Sequence, residues 1–170
     1  ADFAFILKAF DKLDDNGKMA VVLPHGVLFR GNKEQEIRRN LLDRGYISGV
    51  IGLPDKLFAN TSIPVCILVL SKRKTDNVML IDASSEFDKV GKNNILTDEI
   101  ISKISGTFIE KKEIDRYSNL ISLDKIKDND YNLNIPRYVD TFEPEPIIDI
   151  YQMQREIMEC NAEIEKTSAE

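Results

Sequence analysis

Gly17-Lys18-Met19-Ala20-Val21-Val22-Leu23-Pro24-His25-Gly26 decides the fold class, because the apolar run from Lys18 to Leu23 is closed at once by a proline and a glycine. A run this short and this rich in branched residues has the pattern of a central strand covered on both faces, as in an open α/β sheet. Upstream, Phe3, Ile6, Leu7, Phe10 and Leu13 recur at helical spacing, and Asp14-Asp15-Asn16-Gly17 stops that helix with turn formers. Downstream, residues 33–44 read as a second helix with Ile37, Leu41 and Leu42 on its apolar side and Gly45 where a left-handed cap belongs. Tyr46 to Leu53 forms the next strand.

The loop Pro54-Asp55-Lys56-Leu57-Phe58-Ala59-Asn60-Thr61-Ser62 leads into a second apolar, branched run, Ile63 to Leu70, with Pro64 near its start and Ser71-Lys72-Arg73-Lys74 ending it. Two strands so joined predict an antiparallel hairpin at the edge of a larger sheet, and Val78 to Asp82 adds another short strand. Three or four strands with this alternation read as half of a doubly wound domain. From Ser84 to Asp140 the texture turns polar. Thr97 caps a helix with Asp98 and Glu99 in its first turn and Ile100, Ile101, Ile104 and Phe108 as its buried side. Asn129 to Val139 mixes aromatics, amides and a proline, which suits an ordered loop. Pro144 and Pro146 then set off a tail in which Ile150, Met153, Ile157, Cys160 and Ile164 keep the three-four spacing of a coiled-coil seam. The chain thus divides into residues 1–82, half of an α/β domain; 83–143, a polar, loop-rich and helical extension; and 144–170, an acidic helical tail.

Composition narrows the function. With 170 residues, 42% of them hydrophobic and 31% charged, the chain is long enough for one domain with a real core, and it is neither disordered nor membrane-spanning by composition. The net charge of −6 is carried entirely by residues 143–170, which leaves the rest neutral and without a strong electrostatic footprint for nucleic acid. Cys66 and Cys160 sit far apart, outside any metal or redox spacing, and one histidine supplies no ligand set. A reducing cytoplasm is the expected compartment. The start at Ala1-Asp2-Phe3, with no leader, reads as a cut from something longer.

Three stretches together resemble the modification subunit of type I restriction-modification systems, a family of N6-adenine DNA methyltransferases: Gly17 to Gly31, Leu53 to Lys72, and Asn129 to Val139. The resemblance runs in order through about residues 1–145. It implies the C-terminal half of an S-adenosylmethionine-dependent, Rossmann-like methyltransferase sheet followed by a helical tail. It also implies that the glycine-rich cofactor loop and the Asn-Pro-Pro-Phe-type motif lie before Ala1, so that no catalytic or cofactor-binding residue falls in this chain and the chain alone is inactive. The partners it implies are DNA, a specificity subunit that reads the sequence, a restriction subunit and a second modification subunit, with the tail as a docking helix. The alternative is a non-catalytic α/β interaction module that presents the coiled-coil tail.

Within the resemblance, Phe58 aligns with the aromatic that stacks on a flipped adenine, and stacking on an extruded base is worth about 1–3 kcal/mol. The opposing reading makes Phe58 a core residue that plugs the open end of the hairpin. His25 follows a strand, where ligands of α/β sheets gather, and reads as structural or rim-lining ahead of a general base. Pro24 and Gly26 belong to the same candidate rim, and Asn60 and Thr61 offer hydrogen bonds to a nucleotide or simply make the turn. Arg38, Arg39 and Arg44 on one helix, and Lys72, Arg73 and Lys74 after a strand, are either phosphate contacts or solvated faces, the second being commoner. A sheet that lacks its first half also predicts an exposed strand edge where that half belonged, and self-association.

Overall fold

Among the described residues up to 141, seven strands and four α-helices follow one another in the order α1 (Asp2–Asp11), β1 (Lys18–Pro24), α2 (Asn32–Asp43), β2 (Ile47–Gly52), β3 (Val65–Ser71), β4 (Asn77–Asp82), β5 (Asp88–Val90), β6 (Asn93–Ile95), α3 (Asp98–Glu110), β7 (Ser118–Ser122) and α4 (Leu123–Asp128), with short 3-10 turns at His25–Leu28 and Ile135–Arg137. The computed structural model describes residues 2–141 together with 153–155, 157, 158, 160, 161 and 164.

Five strands make one mixed sheet in the order β1-β3-β2-β4-β7, and β5 and β6 make a separate two-stranded ribbon. β3 runs antiparallel to both β1 and β2, β2 runs parallel to β4, and β4 is antiparallel to β7. The C-terminal ends of β1, β2 and β4 therefore meet the starts of β3 and β7 along one side of the sheet, where Pro24 faces Val65, Gly52 faces both Cys66 and Asp82, and Ile81 faces Ser118.

Strand alternation splits the core in two. Val50, Cys66, Leu68, Leu70 and Leu80 point to a cluster that also takes Phe3, Ile6 and Phe10 from α1 and Leu41 and Leu42 from α2. Ile51, Val65, Met79 and Ile81 point the other way, to Ile104 of α3, with Phe108 packed against them. At Gly49 the close approach of α3 leaves no room for a side chain: an added Cβ would lie 2.7 Å from the Met79 carbonyl oxygen and against the Phe108 ring. The helix ends follow the sequence expectation. Thr97 accepts a hydrogen bond from the Ile100 N–H at the start of α3, and Gly45 takes the left-handed conformation (φ 69°) after α2.

Several expectations are corrected. β1 is an edge strand with Lys18, Ala20 and Val22 exposed, so its apolar run covers one face only, and its outer edge pairs with no strand among the described residues. The β2-β3 hairpin forms but lies inside the sheet, because β3 slots between β1 and β2. The sheet has a fifth strand, β7, which the polar stretch Ser118-Asn119-Leu120-Ile121-Ser122 concealed. Ile101 is 48% exposed, and Thr107 takes the buried place on α3 beside Ile104. Arg38 is neither solvated nor open to phosphate. It is 2% exposed and donates to the carbonyls of Val27 (3.1 Å), Arg30 (2.8 Å) and Tyr131 (3.0 Å). Burial lowers its pKa, and Glu34 one turn away opposes that shift.

In the tail, the seam residues Met153, Ile157, Cys160 and Ile164 are helical and exposed, while Ile150, Pro144 and Pro146 lie outside the described residues.

Candidate functional site

The residues between β2 and β3 leave the sheet through a closed neck. The Leu53 N–H donates to the Val65 carbonyl oxygen at 2.9 Å, and His25 Nε2 donates to the same oxygen at 3.0 Å. A carbonyl has two lone pairs and accepts both. Because it only accepts, the proton on His25 sits at Nε2, which withdraws that nitrogen from any role as a base. His25 thereby ties the end of β1 to the loop that follows β2.

Beyond the neck, Leu57 turns inward against the second core cluster and Phe58 turns outward, 48% exposed. Leu57, not Phe58, plugs the hairpin's open end. A single bridge joins Phe58 to Thr61, whose N–H donates to the Phe58 carbonyl at 3.4 Å, and Thr61 Oγ1 accepts from the Ile63 N–H at 3.2 Å. Thr61 thus makes the turn as one of its two readings had it, while the Asn60 side chain stands exposed beside the ring.

The β5-β6 ribbon is fastened to this loop by Asn94, which is 5% exposed. Its Nδ2 donates to the carbonyl and to Oδ1 of Asp55, both at 2.9 Å, and its N–H donates to the Lys56 carbonyl at 3.0 Å. Together the two pieces line a shallow depression made by Lys56, Phe58, Ala59, Asn60, Thr61, Ser62, Lys92 and Asn93. Of the candidate residues, the structure brings Phe58, Asn60 and Thr61 into that depression. Pro24, His25 and Gly26 stand apart from it, at and just after the end of β1, and of the three the His25 side chain reaches the neck through the Val65 carbonyl. Lys56, Lys92 and Asn94 are neighbours that sequence reasoning missed, since a polar asparagine 36 residues from Phe58 carries no signal in a linear reading.

The segment after α4 covers the same side of the sheet. Ile135 reaches the β2 end so closely that a Cβ on Gly52 would lie 2.8 Å from its Cδ1, and the Arg30 guanidinium lies 2.7 Å from where a Cβ on Gly26 would be. Gly52 at the end of β2 and Gly26 in the 3-10 turn after β1 are thus closed off by the chain's own side chains, and neither offers the open backbone that a cradle for S-adenosylmethionine needs. The ends of the buried strands carry no set of metal ligands either, and among the described residues no three His, Cys, Asp or Glu side chains converge. No helix among them is long and apolar enough to cross a membrane.

Known proteins share this arrangement. The family model described as N-6 DNA Methylase matches residues 1–146. The MpnII type I restriction enzyme methylase subunit of Mycoplasma pneumoniae is 39% identical over 94% of this chain and 30% of its own length. The MjaVIII type I methylase subunit of Methanocaldococcus jannaschii is 37% identical over 86% of this chain and 26% of its own length. Among solved structures, the type I restriction-modification system methyltransferase subunit from Streptococcus thermophilus superposes with a TM-score of 0.80 at 54% identity, covering 82% of this chain and 30% of that one. The chain spans about 30% of the length of the proteins it matches.

Proposed function

The chain belongs to the N-6 DNA methylase family, and from that premise we propose that it supplies the target-base side of the pocket in a type I restriction-modification methylase subunit acting on adenine N6. The observation that carries this reading is the Phe58 ring, half exposed on a loop whose neck is held from two sides while Leu57 takes the inward place. An aromatic face left in solvent by a loop this well anchored suits a base that has lost its stacking neighbours.

S-adenosylmethionine is the methyl donor in this reading, held by the rest of the subunit. No step of methyl transfer is therefore given to residues of this chain. DNA is the substrate, which goes with a cytoplasmic location, and the neutral body leaves most duplex affinity to other parts of the complex. The exposed Met153, Ile157, Cys160 and Ile164 fit a docking helix for the specificity subunit, with the restriction subunit and a second modification subunit completing the assembly. Of the three parts of the chain, 1–82 and 83–143 then act as one body, since β7 pairs with β4, and 144–170 acts as the partner element.

The test is Phe58→Ala in the complete subunit with its partners, measured as kcat/KM for methylation of target DNA. A fall of about 10- to 100-fold is expected from the lost stacking, with Phe58→Tyr close to the wild type. Equal rates for Phe58→Ala and the wild type at subsaturating DNA would sink the proposal.

A further inference from the structure

The β5-β6 ribbon does little for the core. Asp88, Lys89 and Val90 are all exposed, and in β6 only Asn94 is buried. A two-stranded ribbon of three-residue strands has no independent stability, so its attachment decides what it does. That attachment goes to the Phe58 loop, through the three hydrogen bonds of Asn94 to Asp55 and Lys56. Lys56, whose carbonyl accepts one of these bonds, is in the left-handed conformation (φ 53°), which is uncommon for a residue with a side chain. At the ribbon's tip Gly91 is also left-handed (φ 63°), and nothing lies within 4 Å of where its Cβ would be, so the Gly91-Lys92 turn projects into open space beside the ring.

The charges around the depression are one-sided. Lys56 and Lys92 are among its lining residues, and no Asp or Glu is. Asp55 lies 3.7 Å from Lys56 Nζ, but its other oxygen accepts from Asn94, and Lys92 has no ion-pair partner among the described residues. A half-exposed aromatic ring that shares a depression with two lysines, and with Asn60, Ser62 and Asn93, matches a nucleotide: a π surface for the base and point charges for the phosphates.

We propose that Lys92, at the tip of the β5-β6 ribbon, and Lys56, in the Phe58 loop, contact the DNA sugar-phosphate backbone on either side of the target nucleotide, with Asn94 as the residue that positions both. The proposal rests on the target-base reading of Phe58 and extends it from the base to the backbone. A lysine on phosphate contributes without regard to sequence and displaces a counterion, so its signature is the salt dependence of binding.

The experiment follows KM for DNA against salt concentration in the complete subunit with its partners, for the wild type, Lys92→Ala, Lys92→Arg, Phe58→Ala and, as a control on an exposed lysine of α4, Lys125→Ala. The expected result for Lys92→Ala is a KM raised about two- to five-fold at moderate salt, by the same factor on target and non-target DNA, and a log–log salt slope lower in magnitude by roughly 0.9, with kcat unchanged. Lys92→Arg restores the slope and Lys125→Ala keeps it. A wild-type slope and KM in Lys92→Ala overturns the proposal, and so does a loss confined to kcat, which would make the ribbon a mere support for the loop. Failure of the base-stacking reading is separate and shows as wild-type kinetics in Phe58→Ala.

Discussion

Two irregular segments meet the same end of the sheet, one against each core cluster, and end up with opposite uses. Residues 129–139 bury Leu133, Ile135, Tyr138 and Val139 and give the Tyr131 carbonyl to Arg38, while the Leu133 N–H donates to the Leu28 carbonyl at 2.9 Å. Residues 54–64 bury little beyond Pro54, keep Leu57 against the core and leave Phe58 and Ile63 in solvent. Both are ordered, so order does not separate a strap from a display loop. The destination of apolar side chains and backbone hydrogen bonds does: the strap sends them into the core, and the loop spends them on its own neck and on the ribbon.

The largest expected effect tests the strap. Arg38→Ala leaves three carbonyls without their charged donor and opens a hole between α2 and the strap, at a cost of about 3 kcal/mol or more in chemical denaturation. Stability within about 1 kcal/mol of the wild type would mean that the strap holds without Arg38. The next effect depends on pH. Burial pushes the Cys66 thiol up to about 12 and raises the Tyr138 hydroxyl as well. Both groups bind their proton more tightly when folded, so their contribution is complete below the unfolded-state pKa; that of Cys66 is lost as pH rises from about 9 toward 12, and that of Tyr138 falls as pH rises above about 10. The slope is at most about 1.4 kcal/mol per pH unit for each group. Melting temperatures flat across that range would contradict the burial of both, and alkylation at pH 8 should reach Cys160 well before Cys66.

A smaller effect separates hydroxyl from ring within the strap. Tyr138→Phe removes a donor that lies 2.5 Å from the Asn132 carbonyl and should cost about 1 kcal/mol. The smallest effect belongs to the display loop. Phe58→Ala, damaging to catalysis in the proposed function, should change folding stability by less than about 0.5 kcal/mol. A loss of 2 kcal/mol there would make Phe58 a core residue and erase the contrast between the segments.

Local signals carried much of this fold in the linear chain. The spacing of Phe3, Ile6 and Phe10, the cap at Thr97, the turn at Gly45 and the apolar runs of β1, β2 and β3 all depend on neighbours within a few residues. What stayed hidden depends on partners far away. The insertion of β3 between β1 and β2 is a property of pairing, not of either strand's composition. β7 has serines at both ends and too few apolar residues to announce itself. Arg38 looked like one more charge on a polar helix until residues 129–139 folded over it. The candidate site divided along the same line: Phe58 was legible because a resemblance pointed to its loop, whereas Asn94 and Lys92 became neighbours of the ring only through the ribbon.

The shared acceptor at Val65 has a consequence for variation. Since the Leu53 N–H and the His25 ring close on one oxygen, the residues between 53 and 65 leave the sheet at a clasp that sits one pair beyond the last β2-β3 pair, Gly52 with Cys66. Such a segment behaves as a cassette: its length and contents can be exchanged while the strands on either side keep their pairing, because adding residues to a closed loop costs little. If the proposed function holds, the face offered to the target base can diverge between relatives faster than the sheet beneath it, and a graft of this segment would begin and end at that clasp.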